Sequence, residues 1–276
     1  MTVRPFIGRR AGPLGNTGTA ANAPGNAAEG EHVPARSFAS FLLKLLLIVL
    51  AFRILVAAPF AIPSRSMLPT LSDGDFIIAS KWPYGWSRLS VPFDLPLIAG
   101  RLKPATPGRG DVVIFRHPLN HSDYIKRAIG VPGDVVMLRD GQLYLNGAAV
   151  VRERLADGAI HPAVAAACAG AAGCRVAAYR ETLPNGRGYV VLDLGRTPQD
   201  DFGPVRVPPG RLFVLGDNRD RSADSRFPAR PGGGVGLVDQ EQLVGRAELV
   251  AFSRDPAGDW LRPSTWFGAG RIGPIE

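Results

Sequence analysis

Large apolar residues divide the chain into three regimes. Residues 1–37 hold few of them: the run GNTGTAANAPGNAAEGEHVPAR is almost wholly small or polar. Such a segment buries too little surface to offset its chain entropy, which predicts a disordered tail. Residues 38–60, FASFLLKLLLIVLAFRILVAAPF, are aliphatic or aromatic on nearly every helical face. Their number matches the roughly 20 residues of a membrane-spanning helix. Lys44 and Arg53 interrupt the run, and each costs roughly 3 kcal/mol at a bilayer centre. Lys44 can snorkel to the near side, whereas Arg53 lies deeper. A buried helix of a soluble domain and a cleaved signal peptide are the competing readings. The long segment ahead of the run argues against the second. From residue 61 to 276 the period changes to that of short strands. DVVIF (111–115) is a compact apolar run. DYIKRAIGV (123–131) alternates, placing Tyr124, Lys126 and Ala128 on one face and Ile125, Arg127 and Ile129 on the other. VVML, LYL and AAVV follow, separated by DG (140–141) and NG (146–147), the turn pairs of tight hairpins. YVVLDL (189–194), RLFVLG (211–216) and LVGRAELVAF (243–252) complete a mainly antiparallel β domain with no further long helix and no internal repeat. Residues 155–188 break the pattern with small residues and read as an insertion or an extended hairpin. PGGGVG (231–236) reads as a flexible loop.

Composition and charge narrow the partners. With 33 Gly and 25 Pro the chain is rich in turn formers. The formal net charge is +8, but the arginines are scattered without a basic run, which argues against nucleic acid and suits an anionic lipid surface. Arg4, Arg9, Arg10, Arg36 and Lys44 precede or open the apolar run. By the positive-inside rule the N-terminus is then cytoplasmic and the large C-terminal domain exported. Cys168 and Cys174 sit in CAGAAGC: a local disulfide in an oxidising compartment, or two unrelated thiols. With only His161 near them they are too few for a metal site.

Candidate chemistry begins directly after the apolar run, in IPSRSMLPTL (62–71). Ser64 and Ser66 there are either ordinary juxtamembrane punctuation or a nucleophile held at the membrane surface. A serine hydroxyl needs a base. His117 and His121 lie in the loop RHPLNHSD and offer one possibility, with an exposed polar loop as the plainer reading. Lys126 is the other candidate. On pattern alone it either faces solvent or is buried among its apolar neighbours; burial would lower its pKa and make it a base. GDNRDRSADSR (216–226) is either a solvated turn or an ordered ion-pair network, and its Ser222 could hydrogen-bond a catalytic ammonium.

In chain order, IPSRSMLPTL, RGDVVIF, DYIKRAIGVPGD and GDNRDRSADSR resemble the sequence boxes of the bacterial type I signal peptidases, with RETLPNGR (180–187) and LVGRA (243–247) also family-like. The resemblance implies a mainly β, antiparallel, self-cleaving-repressor-like catalytic domain on one N-terminal transmembrane helix, rather than the two spans of some members. It implies a membrane-anchored serine endopeptidase that removes signal peptides after Ala-x-Ala-like sites, with Ser66 as nucleophile and Lys126 as general base. Ser64 matches the oxyanion donor. Ser222 matches the serine that orients the lysine, Asp217 with Arg127 and Asp224 with Arg226 match supporting ion pairs, and Tyr124 flanks the lysine. Phe60, Ile62, Met67, Leu71 and Ile125 match the apolar substrate pockets, with Ile62, Met67 and Leu71 also reading as membrane-facing surface. No metal or other cofactor and no nucleic acid are implied; the partners are signal peptides and the lipid bilayer, and the protein is expected as a monomer of the inner membrane with a periplasmic catalytic domain. Arg65 stands where glycine is often found, and Pro228 with PGGGVG departs from the family pattern beyond Phe227. The alternatives are a Ser–His hydrolase, a related peptidase for pilins or conjugation proteins, and a non-catalytic envelope protein.

Overall fold

Pro59 prevents the apolar run from continuing as one helix, because it has no N–H to donate and its ring crowds the preceding turn. In the computed structural model, which describes residues 35–91, 94–156, 176–254 and 272–275, α1 covers Ala35–Leu55 and strand β1 covers Ala57–Ala61. The stretch expected as a single span over 38–60 is therefore divided. The helix starts three residues earlier and stops five residues sooner, and the last residues pair in register with β2 (Asp75–Ser80), Pro59 opposite Ile78. β1 is an edge strand, where a proline is tolerated. Phe38–Leu55 is the one helix among the described residues long and apolar enough to cross a membrane. The chain divides into two units, Met1–Lys44 and Leu45–Glu276. Most of the tail read as disordered, and both cysteines, lie outside the described residues.

The second unit is built from short antiparallel strands. After β2 come β3 (Trp86–Ser87), β4 (Arg101–Leu102), β5 (Val112–Arg116) and β6 (Asp123–Gly130). β7 (Val135–Arg139), β8 (Gln142–Leu145) and β9 (Ala148–Ala149) form the predicted meander, with Asp140 and Asn146 at positive φ in the turns. β10 (Val151–Arg154), β11 (Ala177–Thr182) and β12 (Gly188–Asp193) pair in order as a three-stranded sheet. The described ends of the 155–188 region are thus strand and hairpin. β13 (Phe202–Arg206) joins β7, and β14 (Arg211–Leu215), β15 (Val238–Asp239), β16 (Leu243–Ser253) and β17 (Gly273–Pro274) complete the set. The main sheet runs β1-β2-β16-β5-β6-β14-β15, with β17 beside β16.

β6 lies inside this sheet between β5 and β14, and its last six residues are all buried. Its alternation supplies two cores at once. Ile125 joins Ile62, Met67, Leu71, Ile77 and Val112, while Ala128 joins Val113, Phe115 and Val214. A strand covered on both faces leaves no solvent face for the polar positions between the apolar ones, so Lys126 and Arg127 are buried with it.

The 231–236 loop is pinned rather than free. The Gly236 N–H donates to Phe227 O at 3.0 Å and the Arg230 N–H to Gly234 O at 2.9 Å, and Val235 is buried. A Cβ on Gly234 would lie 2.3 Å from Phe227 Cβ, so only glycine allows the loop to close onto that ring. His117, expected in an exposed loop, is fully buried against the same loop. Its Nε2 meets Gly234 O at 3.2 Å, its Nδ1 accepts the Leu119 N–H, and its ring packs 4.8 Å from that of Tyr124.

Candidate active site

Two chain segments far apart in sequence meet at one hydrogen bond. β1 leads through the Ile62–Leu71 segment, whose Ile62, Met67 and Leu71 are core residues exposing 4%, 0% and 0% of their surface. They are not membrane-facing surface: the segment folds inward over β6 and anchors Ser66 from beneath. Ser66 is itself 8% exposed, and its Oγ lies 2.7 Å from the Nζ of Lys126. The second Nζ contact is the carbonyl of Ile125 at 2.9 Å. Ser64 Oγ lies 3.3 Å from Ser66 Oγ, and Ser64 is exposed. Burial pushes the Lys126 ammonium down to about 8, against the opposing pull of Asp224 and then Asp217. The physical cause is desolvation of the charged form, so the neutral lysine is a minority species near pH 7 but far more abundant than an exposed lysine would supply.

The two buried ion pairs hold the loop after β14 against this dyad. Arg127 reaches Asp217 through two bonds, Nε to Oδ1 at 2.9 Å and Nη2 to Oδ2 at 2.7 Å, and donates from Nη1 to Gly110 O. Its guanidinium sits 4.3 Å from the centre of the Tyr189 ring. Arg226 grips Asp224 in the same forked manner at 2.9 and 3.0 Å, and Asp224 also accepts the Gly216 N–H. These forks fix orientation as well as charge. Tyr124 is half-buried, with its ring centre 5.8 Å from Lys126 Nζ. Phe60 and Ile125 pack with Ile62 in one apolar cluster beside the dyad.

Ser222 differs from its expected role. It is buried, but its Oγ has no hydrogen-bond partner among the described residues and makes no bond to Lys126. It lies against Gly216, where an added Cβ would come 2.2 Å from Ser222 Oγ and 2.6 Å from the Ser66 carbonyl oxygen. The bare α-carbon of Gly216 is what lets the Ser66 and Ser222 segments come so close.

Three contributors escaped the sequence reading. Asn218 donates its backbone N–H to Ser66 O at 3.1 Å and its side-chain amide to Arg65 O at 3.0 Å. Thr70 donates its hydroxyl to Asp217 Oδ2 and accepts from Arg127 Nη2. Glu181 and Arg219, 2.5 Å apart and buried, form a third ion pair, with the Tyr189 hydroxyl donating to Glu181. Asn218 and Thr70 stand inside the two quoted motifs, but nothing local says that their partners lie across the chain. Asn218 holds the peptide units on which Ser66 is mounted. Asn218→Ala should therefore lower kcat by about 10–100-fold, the usual cost of a small misplacement of a reacting group. Steady-state kinetics beside a thermal melt would check this: a matching collapse of stability would mean that the side chain only supports the fold.

Two cavities open elsewhere, one of about 450 Å³ against Pro69, Arg180 and Tyr189 and one of about 600 Å³ against Asp111, Arg187 and Arg246. The Ser66–Lys126 pair has the stronger claim to function, since it unites a buried hydroxyl, a buried amine of lowered pKa and flanking charge pairs. Among the described residues no group of three or more His, Cys, Asp or Glu could hold a metal ion.

The family model described as signal peptidase, peptidase S26, matches residues 35–252. Among curated proteins the chain is similar to signal peptidase I of Rickettsia typhi, 38% identical over 228 residues that cover 79% of this chain and 80% of that protein. It is 37% identical over 216 residues to signal peptidase I of Rickettsia prowazekii, covering 75% and 76%. Among solved structures, signal peptidase I of Enterococcus faecalis V583 matches 51% of this chain and 97% of that chain at 28% identity and a TM-score of 0.29.

Proposed function

The chain belongs to the signal peptidase family, peptidase S26, and with it to the serine endopeptidases, and we propose that Ser66 and Lys126 perform its cleavage of N-terminal signal peptides from exported preproteins. The observation that carries this reading is the 2.7 Å bond between Ser66 Oγ and a fully buried, neutralisable Lys126 Nζ. Neutral Lys126 takes the Ser66 proton as Oγ attacks the scissile carbonyl. The Ser64 hydroxyl and the Ser66 backbone N–H receive the developing oxyanion, each such donor contributing about 3 kcal/mol to the barrier reduction. The lysine then protonates the departing amine. In the second half it takes a proton from the water that attacks the acyl carbon, and it returns that proton to Oγ as the C–Oγ bond breaks, which restores the Ser66 hydroxyl and neutral Lys126. The apolar surface of Phe60, Ile62 and Ile125 receives small side chains, the basis of an Ala-x-Ala preference. Met67 and Leu71 act from behind as its packing. α1 anchors the protein in the inner membrane with its N-terminus cytoplasmic, as the basic residues before it favour, and the catalytic domain in the periplasm.

The pH dependence tests the base. The detergent-solubilised protein should cut a preprotein whose signal peptide ends in Ala-x-Ala. Its kcat/KM should fall about tenfold per pH unit below about 8, where Lys126 is protonated and cannot accept the Ser66 proton, and level above it. Burial also lowers Lys81 to about 8, so Lys81→Met is the control and should leave the inflection in place. An inflection near about 6.5, the ordinary histidine value, would point to a Ser–His enzyme, although both ring nitrogens of His117 are already engaged. Absence of any cut would sink the protease reading.

A further inference from the structure

α1 passes into the catalytic domain without a linker. The Val56 N–H still makes the helical bond, donating to Phe52 O at 2.9 Å, while the Val56 carbonyl already accepts the Lys81 N–H, just past β2, at 3.0 Å. Ala57 then pairs with Ser80 as the first residue of β1. The carbonyl before these, Leu55 O, is one of those a helix end leaves without a partner inside the helix. It accepts the indole N–H of Trp86 at 2.9 Å. Trp86 is held in turn, because β3 pairs it with Leu102 of β4. Lys81 is buried, and its Nζ donates to Leu89 O at 3.3 Å, which ties the same corner to the turn after β3. Three consecutive residues, Leu55, Val56 and Ala57, are thus bonded to the domain. A hinge needs a few residues free to change φ and ψ, and this junction has none. Pro59 stiffens the strand beyond it by fixing its own φ.

The same corner marks the level of the bilayer surface. None of Phe38–Leu55 is buried, so this apolar stretch is left for lipid and the grip falls at its end. Because α1 stops at Leu55, Arg53 stands in its last turn, within snorkelling reach of water. Trp82, which follows Lys81 directly, is 57% exposed, and Trp86 is half-buried; indoles at this level are typical of a membrane boundary. From there the chain runs extended through β1 to Ile62, whose N–H donates to Asp75 O at 2.8 Å. At about 3.4 Å per residue, residues 56–62 rise about 20 Å. Ser66 follows four residues later, where the chain folds inward, so this strand sets the scale of its height. A substrate whose apolar segment stays in the bilayer must cover that height with its own chain. We propose that the hinge-free junction is a specificity element: by holding Ser66 at a fixed height it sets the shortest spacer that a substrate can place between its membrane-embedded segment and the scissile bond, with Trp86 as the clasp. An extended peptide needs about six residues for that height. Longer spacers are accepted, because extra chain adds little closure entropy. The proposal rests on the Ser66–Lys126 reading and on α1 as the membrane anchor.

The test places the full-length protein in liposomes with membrane-inserted substrates that share one apolar helix and one Ala-Ser-Ala site. They differ only in a Gly/Ser spacer between the two, from two to ten residues. The wild type should cut spacers of about six residues and longer, and lose about 10²-fold in kcat/KM on the shorter ones, the cost of a misplaced scissile bond. A six-residue Gly/Ser insertion between Val56 and Ala57 gives the domain slack to approach the bilayer. It should extend cutting to spacers at least two residues shorter. Trp86→Phe, which removes only the clasp, should move the threshold the same way by less. All three proteins should cut a short soluble peptide bearing the same site at equal rates, since Ser66, Lys126 and their pocket are untouched. A wild type that cuts every spacer alike, or a threshold that the insertion leaves in place, would overturn the proposal. Should the insertion variant fail on the soluble peptide, a spin-label distance decides. Nitroxides on Ile48→Cys and Arg139→Cys, with Cys168→Ala and Cys174→Ala, should give one narrow distribution, and a broad one ends the proposal. If the wild type leaves the soluble peptide uncut, the Ser66–Lys126 reading itself fails first.

Discussion

Ser66→Ala should abolish preprotein cleavage, with kcat falling about 10⁶-fold, the scale seen when the nucleophile of a serine hydrolase is removed. Lys126→Met should fall almost as far. Methionine fills most of the buried volume of the lysine stem, so the loss would belong to the missing amine rather than to a cavity. The two losses should not add, because nucleophile and base act as one unit across the 2.7 Å bond. Ser64→Ala removes a single hydroxyl and should cost about 10²–10³-fold in kcat. Processing assays on the three variants, with mass spectrometry for a covalent adduct at Ser66, separate the cases. Substantial turnover by Lys126→Met would transfer the base role to another residue. Substantial turnover by Ser66→Ala would end the serine mechanism outright.

Arg127→Met should destabilise the protein by about 3–5 kcal/mol, the cost of leaving a buried carboxylate without its partner. Arg127 and Asp217 each expose 1% of their side-chain surface, and the guanidinium also serves Gly110 O and the Tyr189 ring. The expected readout is a large fall in the urea midpoint, with cleavage lost because Asp217 belongs to the loop whose Gly216 and Asn218 hold the Ser66 segment. The double variant Arg127→Met, Asp217→Leu removes both charges and should regain a good part of the stability. Its activity should stay low, since Thr70 and the loop lose their common anchor. Full activity in the double variant would show that the pair contributes stability alone.

Much of the site was legible because its chemistry is written in short local motifs. Ser66 and Lys126 each stand in a segment whose residue types make sense only together, and the DG and NG turns marked the meander from β7 to β9 without reference to anything distant. β11, β13 and the isolated two-residue strands were not legible. Segments such as VRER and AAYRET have weak alternation, and they become strands because neighbours supply hydrogen-bond partners. The same holds for residues 57–61, which continue an apolar run in sequence and are strand because β2 lies beside them.

The order of the motifs, the apolar run, the β character of the domain and the candidacy of Ser66 and Lys126 were readable in the sequence alone, since each depends on neighbours within a few positions. Only the tertiary structure decided that Lys126 is buried. Its strand pattern allowed solvent on one side, and it is the covering of both faces of β6 that lowers its proton affinity. Packing also turned Ile62, Met67 and Leu71 inward, engaged both nitrogens of His117, buried the Ser222 hydroxyl without a hydrogen-bond partner among the described residues and brought Asn218 against Ser66. Each of these depends on which surfaces meet across long stretches of chain, and desolvation and long-range hydrogen bonding come into being only when those surfaces close.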